Sequence, residues 1–150
     1  MTEFDVRFKF PSTMIVSGAS GNGKTKWLHR LLLETNSLIS KPIDRIVLCY
    51  GIYQPIYGEM MSEIPNLCLT EGCDQETLEQ FGVFDPTLNT IFILCDLHHE
   101  LARNDLLSKF FCTFSHHANS MVILVKQNLL HKGCAMRDTT TNCHYLVYLS

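Results

Sequence analysis

Short unbroken apolar runs alternate along this chain with longer stretches in which apolar residues recur every three or four positions. An unbroken run suits a strand buried on both faces, whereas a period near 3.6 suits an amphipathic helix. The first run predicts a strand over Thr13 to Ser17, entered through the turn Phe10-Pro11-Ser12. Trp27, Leu28, Leu31 and Leu32 then share one side of a helix from Lys24 to about Thr35, which Asn36-Ser37 and Lys41-Pro42 bring to an end. Arg45 to Tyr50 reads as a buried strand through Ile46, Val47 and Leu48, followed by a turn-rich connection. Gln54-Pro55 through Met61 predicts a short helix, Asn66 to Thr70 a short strand, and Asp74-Gln75-Glu76-Thr77-Leu78-Glu79 the capped start of another helix. Thr90 to Cys95 is apolar through Ile91, Phe92, Ile93 and Leu94, the pattern of a central parallel strand. Asn104 to about Ser115 carries Leu106, Leu107, Phe110, Phe111 and Phe114 on one helical side, and Met121 to Val125 and His144 to Leu149 are the last strands. This alternation predicts an α/β fold: a mostly parallel central sheet flanked by helices on both faces, with a ligand at the C-terminal edge of the strands.

The length of 150 residues suits a single domain over 1–150, and 46% apolar against 18% charged residues is enough to build a core. No apolar run approaches the roughly 18 residues of a membrane span, and Met1-Thr2-Glu3-Phe4-Asp5 does not open a signal peptide. An intracellular protein, cytoplasmic or nuclear, is therefore expected. Seven Cys without C-x-x-C spacing fit reduced thiols in such a compartment better than disulfides or a zinc framework. The formal charge of -3 supplies no general attraction for nucleic acid, although a few Lys or Arg on one loop would not register in it.

Chemistry enters at Gly18-Ala19-Ser20-Gly21-Asn22-Gly23-Lys24-Thr25, a complete G-x-x-x-x-G-K-T loop between the first predicted strand and the first predicted helix. In that context it predicts a nucleoside triphosphate site. Gly18, Gly21 and Gly23 allow positive φ and remove Cβ atoms that would keep backbone amides from phosphate oxygens. Those amides, with the ones of Ala19, Ser20 and Asn22, form the cradle, and the helix N-terminus adds unpaired N–H groups and a positive dipole end. Lys24 is expected on the β- and γ-phosphates of ATP, and the Thr25 hydroxyl on Mg²⁺.

A triphosphate-hydrolysing site of this kind needs a second acidic centre facing the loop, to support Mg²⁺ and orient the attacking water. Ile91-Phe92-Ile93-Leu94-Cys95-Asp96 is the good candidate. Many ATPases place two acidic residues after four apolar ones, the first for Mg²⁺ and the second for water. Here the first position holds Cys95, and a neutral sulfur is a poor ligand for a hard cation. Two registers stand open. If Leu94 ends the run, Asp96 activates water and metal support is weakened. If Cys95 belongs to the run, Asp96 holds the metal, directly or through water, and a base such as Glu100 must come from elsewhere. The first is preferred because it keeps the following resemblance in register.

The phrases FPSTMIVSGASGNGKT, ILCDLHHE, FSHHANSMVILVKQNLLHKG and MRDTTTNCHYLV together resemble the genome-packaging ATPases of large DNA viruses and Polinton-type (Maverick) transposons, within the FtsK/HerA superfamily. The resemblance runs over nearly the whole chain. It implies a P-loop NTPase fold, ATP and Mg²⁺ as cofactors, double-stranded DNA as partner and a homo-oligomeric ring, and it adds the virion to the expected locations. It also implies that Gln127, with Asn128 beside it, senses the γ-phosphate, where an amide both donates to phosphate and accepts from water. Arg137 is implied as a finger reaching a neighbouring subunit's nucleotide, where a guanidinium would neutralise developing charge. His98-His99 and His116-His117 read as helix-end polar residues, since adjacent residues on a helix diverge by about 100°.

Two departures from the family pattern support a second reading. Cys95 stands at an expected acid, and the chain ends at Ser150 on a strand-like segment where relatives continue, which suits a C-terminally truncated, nucleotide-binding relic or interaction module with impaired hydrolysis. A third reading, a P-loop small-molecule kinase such as a nucleoside kinase, lacks an Arg-rich lid, Arg103 and Arg137 being the only arginines of the second half.

Overall fold

The apolar runs become the strands of one sheet. The computed structural model describes residues 5–18, 23–72, 76, 85, 87–97, 119–126 and 143–149. Within them, β1 (Ser12–Gly18), β2 (Arg45–Tyr50), β3 (Leu67–Glu71), β4 (Thr90–Cys95), β5 (Ser120–Lys126) and β6 (Tyr145–Leu149) lie in the order β3-β2-β4-β5-β1-β6. Every pairing is parallel, so all strand C-termini fall along one edge. The described helices are α1 (Lys24–Leu33), the single turn α2 (Thr35–Leu38) and α3 (Ile56–Glu63).

Register aligns Glu71, Tyr50, Cys95, Val125, Val16 and Val147 in one row near that edge. Because strand side chains alternate, this row and those two residues away share a face. That face packs with Leu28, Leu31 and Leu32 of α1 and with Tyr57 and Met60 of α3 in a single core. The opposite face is buried as well: Ile15, Val47, Phe92, Leu94, Val122 and Leu124 are at most 1% exposed. Burial on both sides is why β1, β2, β4 and β5 read as unbroken apolar runs. At the sheet edge β6 alternates instead, with Leu146 and Tyr148 exposed between half-buried Tyr145, Val147 and Leu149. The helices expected near 74–79 and 104–115 lie outside the described residues, apart from Glu76.

Two boundaries differ from expectation. Helix α1 stops at Leu33, where Glu34 leaves the helical region at φ -116, and the turn signal Asn36-Ser37 falls inside α2. The Ile39 amide closes that extra turn onto the Thr35 carbonyl, which delivers Ile39 into the core at 1% exposure. Helix α3 begins at Ile56 rather than Gln54, with Pro55 as its N-cap. Proline has no N–H to give a helix and suits a position at its entrance, so Gln54 stays outside the helix.

Gly18 corrects an expectation. Among the described glycines only Gly23 and Gly72 have positive φ. Gly18 is required by close approach: a Cβ there would fall 2.5 Å from the Leu149 carbonyl oxygen. Relieving that clash means pushing β6 from β1, because the obstacle is backbone. Gly18→Ala is therefore expected to cost about 1–3 kcal/mol of stability, read from the midpoint of chemical denaturation. An unshifted midpoint would show that β6 yields freely at this point.

Candidate phosphate-binding site

At the C-terminal edge the chain leaves β1 and re-enters the described residues at Gly23, whose φ of +79 turns it directly into α1. The first helical bond runs from the Trp27 amide to the Gly23 carbonyl at 2.8 Å. Among the described residues no side chain caps this N-terminus, and no acidic residue lies in its first turn. First-turn amides have no acceptor within their own helix, so an anion placed here meets donors and the positive end of the dipole. Of the predicted loop, Gly18, Gly23, Lys24 and Thr25 are placed. Ala19, Ser20, Gly21 and Asn22 lie outside the described residues, as do Glu100, Gln127, Asn128, Arg137 and both His pairs.

The helix start opens on a cavity of about 550 Å³ whose wall includes Gly23, Lys24, Thr25, Gln54, Tyr57, Cys95 and Asp96. The start of α1 and the acidic end of β4 thus meet, although β5 runs between β4 and β1. Lys24 is buried, and its Nζ donates to the Gly18 carbonyl at 2.6 Å. Thr25 Oγ1 donates to Gln54 Oε1 at 3.1 Å. That bond directs the hydroxyl proton away and leaves the oxygen lone pairs to ligate.

Cys95 is the last residue of β4, lies on the α1 face and is 2% exposed. Burial pushes its thiol up to about 12, with Asp96 adding to the shift while Tyr57 and Lys24 oppose it. It is a neutral thiol at any working pH. Since only the thiolate is an effective nucleophile, a group of that pKa is reactive at pH 8 in on the order of one molecule in ten thousand. Iodoacetamide is therefore expected to leave Cys95 unlabelled in the folded chain and to label it after denaturation, as peptide mass spectrometry would read. Rapid labelling of Cys95 in the native protein would contradict this.

Asp96 follows in the left-handed region at φ 55, a conformation Asp tolerates better than most residues. Its amide donates to the Val125 carbonyl at 3.2 Å. Across the neighbouring strand the Gly51 amide donates to the Cys95 carbonyl at 3.0 Å, and a Cβ on Gly51 would stand 2.5 Å from the Asp96 carbonyl oxygen. A side chain at position 51 would displace the backbone that aims Asp96. Thr25 and Asp96 both offer oxygen, as a hard cation such as Mg²⁺ requires, whereas the protonated Cys95 sulfur does not. The donor set fits Mg²⁺ through two residues. Among the described residues no group of three or more His, Cys, Asp or Glu could hold a metal by itself, so the fit is to a metal that arrives with phosphate oxygens.

Gln54, Tyr57 and Gly51 are the site residues that sequence reasoning missed. All follow β2, and nothing local ties that segment to the loop after β1; only the strand order brings them together. Among the described residues no helix is long and apolar enough to cross a membrane.

The fold is similar to that of the cytoplasmic domain of EssC. The two superpose with a TM-score of 0.68 over 92% of this chain, at 12% sequence identity. This chain spans 31% of the length of that one. The likeness establishes an α/β fold of the P-loop kind. No family model matches the sequence, and no curated protein matches it.

Proposed function

We propose that this chain is an ATP-binding P-loop ATPase of the viral and transposon DNA-packaging type, a subunit of a homo-oligomeric ring that moves double-stranded DNA. One observation carries the nucleotide half of the reading: Lys24 and Thr25, at an uncapped helix N-terminus, share a cavity with Asp96 from the end of β4. The motor half is supported by the sequence resemblance across the chain, and the EssC-like fold is compatible with it.

In this reading Lys24 exchanges the Gly18 carbonyl for the β- and γ-phosphates of ATP, and the first-turn amides of α1 take further phosphate oxygens. Thr25 would offer its lone pairs to Mg²⁺ while its hydroxyl proton stays in the hydrogen bond to Gln54 Oε1. Bound Mg²⁺ supplies neutralisation of the charge on the transferred phosphoryl group. Asp96 orients the attacking water and accepts its proton. Gln127 and Arg137 keep the roles of γ-phosphate sensor and finger on the neighbouring subunit's nucleotide.

Cys95 favours a second reading, a nucleotide-binding module with impaired turnover, because the thiol supplies neither charge nor hard oxygen at the metal's side of the cavity. Steady-state and single-turnover hydrolysis of Mg·ATP, with and without double-stranded DNA, separates the two. The motor reading expects turnover that rises when DNA is added. Tight ATP binding with no turnover selects the second reading, and DNA-independent phosphate transfer to a nucleoside would sink both in favour of a kinase.

A further inference from the structure

One side of the cavity is formed by the segment that follows β2, and one polar group on it is poorly satisfied in the described fold. Tyr57, in the first turn of α3, is 0% exposed, and its ring clusters with those of Tyr50 and Tyr53 at centroid distances of 5.5 and 5.8 Å. Its hydroxyl oxygen is buried and meets no described nitrogen or oxygen at hydrogen-bonding distance. Its described partner is the Cys95 thiol, and a thiol is a weak hydrogen-bond partner. Buried tyrosine hydroxyls are normally paired, and phenylalanine would fill the same space without leaving a polar atom stranded. Tyr57 nevertheless lines the cavity that also holds Lys24, Thr25 and Asp96.

We propose that the Tyr57 hydroxyl donates a hydrogen bond to an oxygen of the terminal phosphate of a bound nucleoside triphosphate, and so distinguishes a triphosphate from a diphosphate. This rests on reading the cavity as a nucleotide site. Burial keeps the phenol neutral, with Cys95 and Asp96 acting in the same direction, so it offers a proton and seeks an acceptor. The placement selects the terminal group. The loop follows β1, whereas Tyr57 follows β2, and those two strands lie three positions, or about 14 Å at the usual strand spacing, apart in the sheet. A triphosphate anchored at the loop and at the start of α1 approaches that side with its last phosphate, and a diphosphate stops short of it. Gln54, two residues from the helix start, holds Thr25 from the same side and fixes the distance between the two walls.

The test is equilibrium binding of a non-hydrolysable ATP analogue and of ADP, each with Mg²⁺, to the natural chain, Tyr57→Phe and Lys24→Ala, with thermal unfolding of each ligand-free protein. Tyr57→Phe is expected to weaken the triphosphate analogue about tenfold, equal to about 1.4 kcal/mol, while ADP affinity stays within about twofold and the ligand-free chain keeps or gains thermal stability. Equal weakening of both nucleotides, or unchanged affinity for the analogue, would overturn the assignment. So would a lowered melting temperature with an unaltered triphosphate preference, which would mark the hydroxyl as structural. If the natural chain binds neither nucleotide, or if Lys24→Ala leaves both affinities unchanged, the nucleotide site itself is wrong. That failure is distinct from loss of the Tyr57 effect alone.

Discussion

Lys24→Ala is expected to lower both the affinity for ATP and its turnover by about 100- to 1,000-fold. The magnitude follows from removing a single charged donor from a site built to hold anionic oxygen, which typically costs about 2.7–4 kcal/mol. Fold stability should fall modestly. Among its contacts the variant loses the charge-assisted hydrogen bond from Nζ to the Gly18 carbonyl, and bonds with a charged partner contribute about 1.5–3 kcal/mol net. The lysine stem is a further concern, because Lys24 lines the cavity and is only 9% exposed. Lys24→Met keeps the stem and removes the charge, so it should reproduce the functional loss with a smaller effect on melting temperature. If either variant binds ATP as well as the natural chain while remaining folded, the anion is not held at this helix start.

Cys95→Asp is expected to raise Mg²⁺-dependent ATP turnover by about tenfold or more. The substitution puts a carboxylate at the end of β4, on the α1 face and in the same cavity as Thr25. A hard cation gains an anionic oxygen there, which the protonated thiol cannot supply. The cost appears without metal. A carboxyl group in place of a 2% exposed thiol, one residue from Asp96, is held protonated by burial and by like charge, and an incompletely paired buried group costs about 1–3 kcal/mol. The ligand-free variant should therefore melt below the natural chain, and Mg·ATP should raise its melting temperature by more than it raises that of the natural chain. Stability and turnover would then move in opposite directions, which a simple packing defect does not produce. Turnover and metal dependence equal to those of the natural chain would remove Cys95 from the metal's side of the site.

How much was legible follows from where the information sits. Strands β2 and β4 were read from the sequence with their observed limits, because burial on both faces demands continuous apolar residues and the polar neighbours close each run. Helix α1 was legible from its stripe and from the loop that feeds it. Its end was not, because Ile39 enters the core through an extra turn that overrides the local breaker Asn36-Ser37. Gly18 was legible as a necessary glycine for a partly mistaken reason, since the obstacle to a side chain is Leu149, 131 positions later in the chain. Gln54 and Tyr57 gave no signal, as neither a lone amide nor a tyrosine in a turn-rich segment forms a motif.

The phosphate loop, the start of α1 and the acidic end of β4 are written into consecutive residues, because backbone geometry and ligand chemistry there depend on neighbours in the chain. The sequence alone therefore determined that a triphosphate site was to be expected, and that Cys95 occupies the place of an expected acid. What only the tertiary structure decided is which segments face that site. The order β3-β2-β4-β5-β1-β6 brings the residues after β2 and β4 to the start of α1. Strand order is set by long-range packing of two buried faces, and no local pattern encodes it. The same order left the Tyr57 hydroxyl buried on the cavity wall with the Cys95 thiol as its weak partner among the described residues.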